Sequence, residues 1–134
     1  YKAKSAYATE KSEMAKPLFE IMSKKSSSEK GAESKYMVAL ITNAEGKFEK
    51  SLDLCFELKE DFASYEKWVV KGFILIADNY LKMGDDFQAK ATIESILNNY
   101  DGDKQLVEEA KAKLAEIEKI GQEKSKIDYK KYNI

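Results

Sequence analysis

The sequence predicts an all-α fold, built as an antiparallel array of about six or seven helices. Apolar residues recur at spacings of three and four along nearly all of the 134 residues, which is the periodicity of amphipathic helices. No run of β-branched residues alternates with polar ones, so strands are not expected. Proline, the strongest helix breaker, occurs only once, at Pro17.

The composition fits one globular domain. Hydrophobic residues make up 43% of the chain and charged residues 35%, which leaves enough apolar material for a core. The 23 basic and 24 acidic residues nearly cancel, and every basic residue is a lysine, so the charge does not favour nucleic acid. The chain has no histidine, which excludes His-based triads and the common His-rich metal sites. We therefore expect no nucleic-acid partner, no metal ion and no cofactor.

The first predicted helices cover residues 3–8 and 12–25. Pro17 lies in the first turn of the second one, where its missing N–H is tolerated. The next segment, GAESKYMVALITNAEG, carries apolar residues at helical spacing and ends at Gly46. The segment KFEKSLDLCFELKEDF follows it as a partner helix, with Cys55 on its apolar face as a buried thiol.

The second half repeats this arrangement. The segment YEKWVVKGFILIADNYLKMG predicts a helix that ends at Gly84, and DDFQAKATIESILNNY predicts the helix after it. Asp103 is a good N-cap for a closing helix over 103–121. Residues 123–134 lose the apolar face and are expected to fray as a C-terminal tail. No stretch of about 20 apolar residues is present, so no membrane span is expected.

A small residue, a glycine and a second small residue occur twice with the same internal spacing. One constant separation, which we call the repeat spacing, relates the two sets: Ala39 to Ala77, Gly46 to Gly84 and Ser51 to Ala89. Self-similarity at one period is the signature of stacked helical repeats, because a single helix pair cannot bury its apolar face alone. Each glycine permits a tight turn with a positive φ, and each small residue lets paired helices approach closely.

This pattern resembles the tetratricopeptide repeat (TPR), a helix–turn–helix unit of about 34 residues. The family places a small residue at its eighth position, glycine at its fifteenth and alanine at its twentieth. The chain departs from the family in its longer period, in Lys35 at an aromatic position and in the missing closing proline. The resemblance implies a TPR-like solenoid domain over 1–122, with units at about 12–28, 32–65 and 70–100, a closing helix at 103–121 and a tail at 123–134.

Several segments, among them DDFQAKATIESIL, are more specifically similar in sequence to the C-terminal region of TPR proteins in the Bacteroidetes cell envelope. That resemblance implies a location on the periplasmic side of the envelope. The single cysteine fits a reducing compartment and a disulfide-free envelope protein equally well, so a cytoplasmic location stays open. The sequence begins at Tyr1 without a signal peptide, and we expect it to be a piece of a longer protein.

The resemblance also implies a binding groove. In TPR proteins the first helix of each unit lines a concave surface through its second, fifth, ninth and twelfth positions. In this chain those positions are Glu33, Tyr36, Leu40, Asn43, Lys71, Ile74, Asp78 and Leu81. They form an apolar strip edged by charges, which suits an extended or helical peptide. The Lys and Asn clamp that some relatives use for a C-terminal carboxylate is missing, and neighbouring repeats could instead cover the strip.

The predicted function is a non-catalytic scaffold that presents this groove to a peptide or protein, as part of a longer repeat protein. The alternative is a structural cap or a homo-oligomerisation module of a longer helical array. An enzyme would need two carboxylates, such as Asp78 and Glu33, to converge in a pocket, and no motif demands that. Trp68 and Tyr65 could anchor a partner, but core packing explains them more simply.

Overall fold

The computed structural model describes Lys16 and residues 28–132, with side chains described up to Ile127. These residues form five α-helices and no strand, which confirms the predicted all-α class. The helices are α1 Glu29–Ala44, α2 Phe48–Asp61, α3 Glu66–Lys82, α4 Asp86–Asn99 and α5 Lys104–Tyr132. The other predicted helices, over 3–8 and 12–25, lie outside the described residues apart from Lys16. The described part therefore holds five of the predicted six or seven helices.

Glycine ends α1 and α3 in the same way. Gly46 has a φ of 81° and Gly84 a φ of 84°, in the left-handed region that glycine enters without strain. The positive φ predicted at these turns is thus confirmed. Each turn makes the two hydrogen bonds of a Schellman motif. The donors and acceptors are Gly46 N to Asn43 O, Lys47 N to Thr42 O, Gly84 N to Leu81 O and Asp85 N to Tyr80 O.

Consecutive helices run antiparallel, as the short connections predict. Ser51, early in α2, donates from its Oγ to the carbonyl of Ala39 at 2.7 Å. Further from the turn, Lys35 forms an ion pair with Glu57 at 2.9 Å. Residues at increasing distance before the turn therefore meet residues at increasing distance after it, which defines an antiparallel pair.

The odd-numbered helices lie side by side. α1 packs on α3, and α3 packs on α5, in addition to the contacts between consecutive helices. The hydrogen bond between Asn43 and Asp78 and the ion pair between Asp78 and Lys113 each join residues 35 positions apart. Tyr36 and Lys71, which are also in contact, have the same separation, so α1 and α3 point in the same direction. Because consecutive helices are antiparallel, α5 points that way too.

Two apolar clusters form most of the described core. One fills the space between α3, α4 and α5, and the other lies between α1, α2 and α3. The first contains Val70, Ala77, Ala89, Ile93, Ile96, Leu106, Ala110 and Ile117. The second contains Ala39, Leu52, Cys55, Leu75 and Ile76. The small residues of the sequence repeat are completely buried, which is the close approach predicted for them.

The last helix is longer than predicted. Asp103 caps it as expected, accepting from the backbone N–H groups of Gln105 and Leu106. The helix does not end at Gly121, however, and continues through the predicted tail to Tyr132. The residues after Gly121 lack an apolar face, but several are good helix formers, and Lys124 pairs with Asp86 of α4 at 3.1 Å. A helix can thus continue on propensity and one ion pair where hydrophobic periodicity predicts fraying.

The described helices carry charged residues throughout. Among them, no helix combines the length and the apolar composition that crossing a membrane requires.

The close packing at Ala89 gives a testable prediction. Ala89 is 0% exposed in the cluster beneath α4, so Ala89→Leu should overpack it and lower the free energy of unfolding by about 1–3 kcal/mol. Ala115, on α5, is exposed, so Ala115→Leu should change it by less than about 0.5 kcal/mol. Urea unfolding followed by circular dichroism measures both values. Equal effects of the two substitutions would contradict this packing.

Candidate partner-binding surface

The eight predicted groove residues lie on α1 and α3, which are adjacent. Asn43 is buried, at 5% exposure, and the other seven are half-buried. Two contacts join the two sets: the Lys71 Nζ lies 5.7 Å from the centre of the Tyr36 ring, and Asn43 donates to Asp78 at 3.0 Å. The structure therefore brings Tyr36 together with Lys71, and Asn43 together with Asp78, at two different positions along the helix axes.

One end of this surface is aromatic. The Tyr36 and Trp68 rings lie 5.9 Å apart, centre to centre, and the Lys71 Nζ is 5.0 Å from the Trp68 ring. A lysine ammonium over two aromatic faces is attracted by both rings. Trp68 itself is buried among Ala32, Leu58 and Phe62, so it packs in the core, as its simpler interpretation predicts.

The apolar members of the predicted strip face inward in part. Leu40 packs on the cluster between α1, α2 and α3, and Ile74 and Leu81 pack on the cluster between α3, α4 and α5. Each of the three side chains is half-buried. They offer a partner only a narrow apolar edge, and a charged substitution at any of them would disturb the core as well as the surface.

The two carboxylates named for a possible reaction do not converge. Asp78 contacts Asn43 near the C-terminal end of α1, whereas Glu33 lies ten residues earlier in that helix. At 1.5 Å per residue this separates the two positions by about 15 Å along the axis. The Asp78 carboxylate is also occupied by neighbouring side chains.

A buried polar network begins at Asn43. Its Nδ2 donates to Asp78 Oδ2 at 3.0 Å and to Asn79 Oδ1 at 2.9 Å, while its Oδ1 accepts from Lys82 Nζ at 2.9 Å. Both amide hydrogens and the amide oxygen of Asn43 are thus used. Asn43 therefore positions its neighbours and has no free donor for a ligand.

Asn79 carries the network to α2. This residue is completely buried, and its Nδ2 donates to Ser51 Oγ at 2.9 Å and to the Leu75 carbonyl at 3.1 Å. The Ser51 hydroxyl in turn donates to the Ala39 carbonyl at 2.7 Å. Every polar atom of the Asn79 side chain has a partner, which is what burial of an amide requires.

Asp78 and Lys113 extend the network to α5. Lys113 Nζ lies 3.0 Å from Asp78 Oδ1 and 2.8 Å from Glu116 Oε1. Lys82 Nζ lies 3.0 Å from the other oxygen of Asp78. We refer to these seven residues as the polar network: Asn43, Ser51, Asp78, Asn79, Lys82, Lys113 and Glu116.

The charges in the network stabilise each other. Burial acts to raise the pKa of Asp78, but hydrogen bonds from Lys113 and Lys82, the charge of Lys113 and the Asn43 amide outweigh it, so the pKa lies below its usual value. Burial likewise acts to lower the pKa of Lys113, and Glu116 and Asp78 reverse this, so the pKa is raised. Both groups are therefore ionised at neutral pH, and neither is poised to exchange a proton there.

The thiol of Cys55 is not part of this surface. It is 1% exposed, and burial raises its pKa to about 12, an effect that a hydrogen bond with Ser51 opposes only in part. A thiol that remains protonated and inaccessible at neutral pH is a poor nucleophile. The prediction of a buried core thiol is confirmed.

Several residues of the network are missed by the sequence analysis. Lys113 falls in a helix whose lysines suggest a solvated face, and Ser51 is interpreted only as a small packing residue. Asn79, Lys82 and Glu116 stand out in no motif. A usable signal exists, because a polar residue recurs every 35 positions at Asn43, Asp78 and Lys113.

Four clefts in the surface have walls made of described residues. Their volumes are about 580, 490, 480 and 270 Å³. None of the eight predicted groove residues lines any of these four. The concave surfaces that they form therefore lie outside the predicted groove.

Comparison with known proteins adds no relative to this account. The chain matches no protein-family model, no curated protein and no solved structure. The resemblance to the TPR family is therefore carried by the residues of the chain, above all by the repeat spacing of its small residues and glycines.

The lowered pKa of Asp78 predicts a pH dependence of stability. Its ionised form is favoured in the folded state, so the stabilisation is complete above the ordinary carboxyl pKa of 3.8 and is lost as the pH falls through the lower, folded value. The free energy of unfolding should therefore differ most between the wild type and Asp78→Asn above about pH 4, and the difference should shrink below it. Urea titrations from pH 7 to pH 2 measure this.

Asp53→Asn is the matched control for this titration. Asp53 is exposed on α2 and forms no ion pair with the described residues, so its difference from the wild type should stay nearly constant over the same range. A difference for Asp78→Asn that also stays constant would contradict the assigned ion pairs.

Proposed function

We propose that this chain is a non-catalytic protein-interaction scaffold of the TPR type, part of a longer repeat protein. In this proposal the exposed edge of α1 and α3 binds a peptide or a protein segment. The observation that carries it is the pair of helix–turn–helix units that share the same Schellman turn, at Gly46 and again at Gly84. The parallel stacking of α1, α3 and α5 supports the same arrangement, because it gives adjacent units a shared face.

Two lysines of α3 provide the polar contacts for such a partner. Lys71 is held over the aromatic rings, and Lys82, which is 46% exposed, uses two of its three donors on Asn43 and Asp78. Eleven residues separate the two lysines, or about 16 Å of helix axis. An extended peptide covers this distance in about five residues, so its carbonyl or carboxylate oxygens could meet both ammonium groups.

The rigidity of the polar network is an advantage for this function. Asn43 donates to both Asp78 and Asn79, and the Lys82 ammonium is held by contacts with Asn43 and Asp78. A partner would then bind a surface that is already ordered, and less conformational entropy is lost on binding.

A structural cap is a second candidate, and α5 favours it. This helix begins one repeat spacing after α3, in the position of the first helix of a further unit. Where α3 has Phe73 and Tyr80, α5 has the exposed charged residues Lys111 and Glu118 at the same spacing. A further helix would have to bury these charges, so the array would end at α5.

Capture experiments with matched lysine variants test the scaffold proposal. Lys71→Gln with Lys82→Gln should weaken partner binding at least tenfold, because two charge-assisted hydrogen bonds are lost. Lys67→Gln with Lys119→Gln removes the same charge from exposed positions and should retain the partner. Binding of proteins from the envelope and soluble fractions of the source cells is measured for both variants and the wild type, after their folding is checked by circular dichroism.

The outcomes separate the two candidates. A protein that the wild type and the Lys67/Lys119 variant retain, and that the Lys71/Lys82 variant loses, would establish the α1–α3 surface. A protein that all three retain equally would contradict it. Absence of any partner, with a monomeric mass, would favour the structural cap.

A further inference from the structure

A second cleft lies between α2 and α4, on a different side of α3 from Lys71 and Asp78. α2 and α4 each pack against α3, and the cleft between them has a volume of about 270 Å³. Its floor is formed by Phe73, Ile76 and Tyr80, which recur at spacings of three and four and so share one side of α3. This cleft is separate from the surface proposed above for the scaffold function.

The cleft exposes aromatic surface that nothing in the described structure covers. Phe56 on the α2 wall is 41% exposed, one of four large apolar side chains exposed among the described residues. Phe73 and Tyr80 on the floor are only half-buried. On the opposite wall stands Ala91, whose small side chain leaves the cleft open. A large apolar side chain entering here would bury these aromatic surfaces.

Three carboxylates lie within one helical turn of residues that line the cleft. Asp53 and Glu60 lie about one turn on either side of Phe56, and Glu94 lies one turn from Ala91. All three carboxylates are exposed, and none forms an ion pair with a residue of the described part of the chain. Lys59 is the only charged residue among the described residues that line the cleft itself. The three nearby carboxylates outnumber this ammonium, so the charge around the cleft favours a cationic partner.

We propose that this cleft binds a basic segment of a partner protein that inserts one large apolar side chain, such as leucine or phenylalanine. The volume is below that of typical small-molecule sites and suits one or two side chains. The apolar side chain would occupy the floor over Phe73 and Tyr80. Lysine or arginine residues flanking it would pair with Asp53, Glu60 and Glu94.

A displayed library of twelve-residue peptides tests the chemistry directly. Each peptide carries a central leucine or phenylalanine and random flanks, and is selected against the full 134-residue chain. Peptides that require the cleft should be enriched in lysine and arginine. Enrichment of acidic or neutral flanks among them would overturn the proposal.

Substitution of the α4 wall tests the location. Ala91→Trp should fill the cleft and weaken the selected peptides at least tenfold. Ala115→Trp places the same side chain at an exposed position of α5 and should leave binding within twofold. Affinities come from fluorescence anisotropy after circular dichroism shows unchanged folding. Failure to select any peptide sensitive to Ala91→Trp would overturn the proposal.

Charge reversal tests the nearby carboxylates. Asp53→Lys with Glu60→Lys should reduce the affinity of the basic peptides at least tenfold, whereas Glu109→Lys with Glu123→Lys, which makes the same charge change on α5, should not. The Lys71→Gln, Lys82→Gln variant should bind these peptides normally, so this test does not depend on the scaffold surface. A self-association of the chain that Ala91→Trp abolishes would overturn the proposal in favour of a second copy as the occupant.

Discussion

The hydrogen bonds of the buried Asn79 side chain determine how the first three described helices fit together. Its amide oxygen accepts from Asn43 on α1, and its amide nitrogen donates to Ser51 on α2. An amide buried without partners would cost about 1–3 kcal/mol, so helix positions that break these bonds are disfavoured. Helices that touch only through apolar side chains can shift along each other with little loss of free energy. The Asn79 amide, in contrast, keeps all its hydrogen bonds only at one relative position of the three helices, which we call their register. The position of Lys82, and with it the proposed binding surface, follows from that register.

The helices were largely predictable from the sequence, because their ends are marked locally. Gly46 and Gly84 each terminate a helix with a positive φ, and a glycine at a fixed distance from small residues is visible in the sequence. The end of α5 was not predictable in this way. Its last turns lack an apolar face, and they are stabilised by helix propensity and by an ion pair between Lys124 and Asp86, which are distant in the sequence.

The candidate site was predictable only in part. The resemblance placed Tyr36, Lys71, Asn43 and Asp78 on one surface, and the structure brings them together in pairs. It did not reveal that Asn43 and Asp78 are saturated by internal hydrogen bonds, because this depends on the stagger between neighbouring helices. Equivalent residues of the two units are separated by the repeat spacing, whereas residues in contact between neighbouring helices are only 35 positions apart. This offset comes from the way the helices pack, so the residues in contact cannot be found from the repeat spacing alone. The contact between Lys113 and Asp78 has the same offset, so the repeat spacing did not predict it either.

A double-mutant cycle between Asn43 and Asn79 tests most directly whether the network fixes the register. The free energy of unfolding in urea is measured for the wild type, Asn43→Ala, Asn79→Ala and the double variant. Each single variant leaves a buried polar group of the other residue unpaired, so we expect a coupling energy of at least about 1 kcal/mol. Effects that add to within about 0.5 kcal/mol would contradict the account, because the two side chains would then contribute independently.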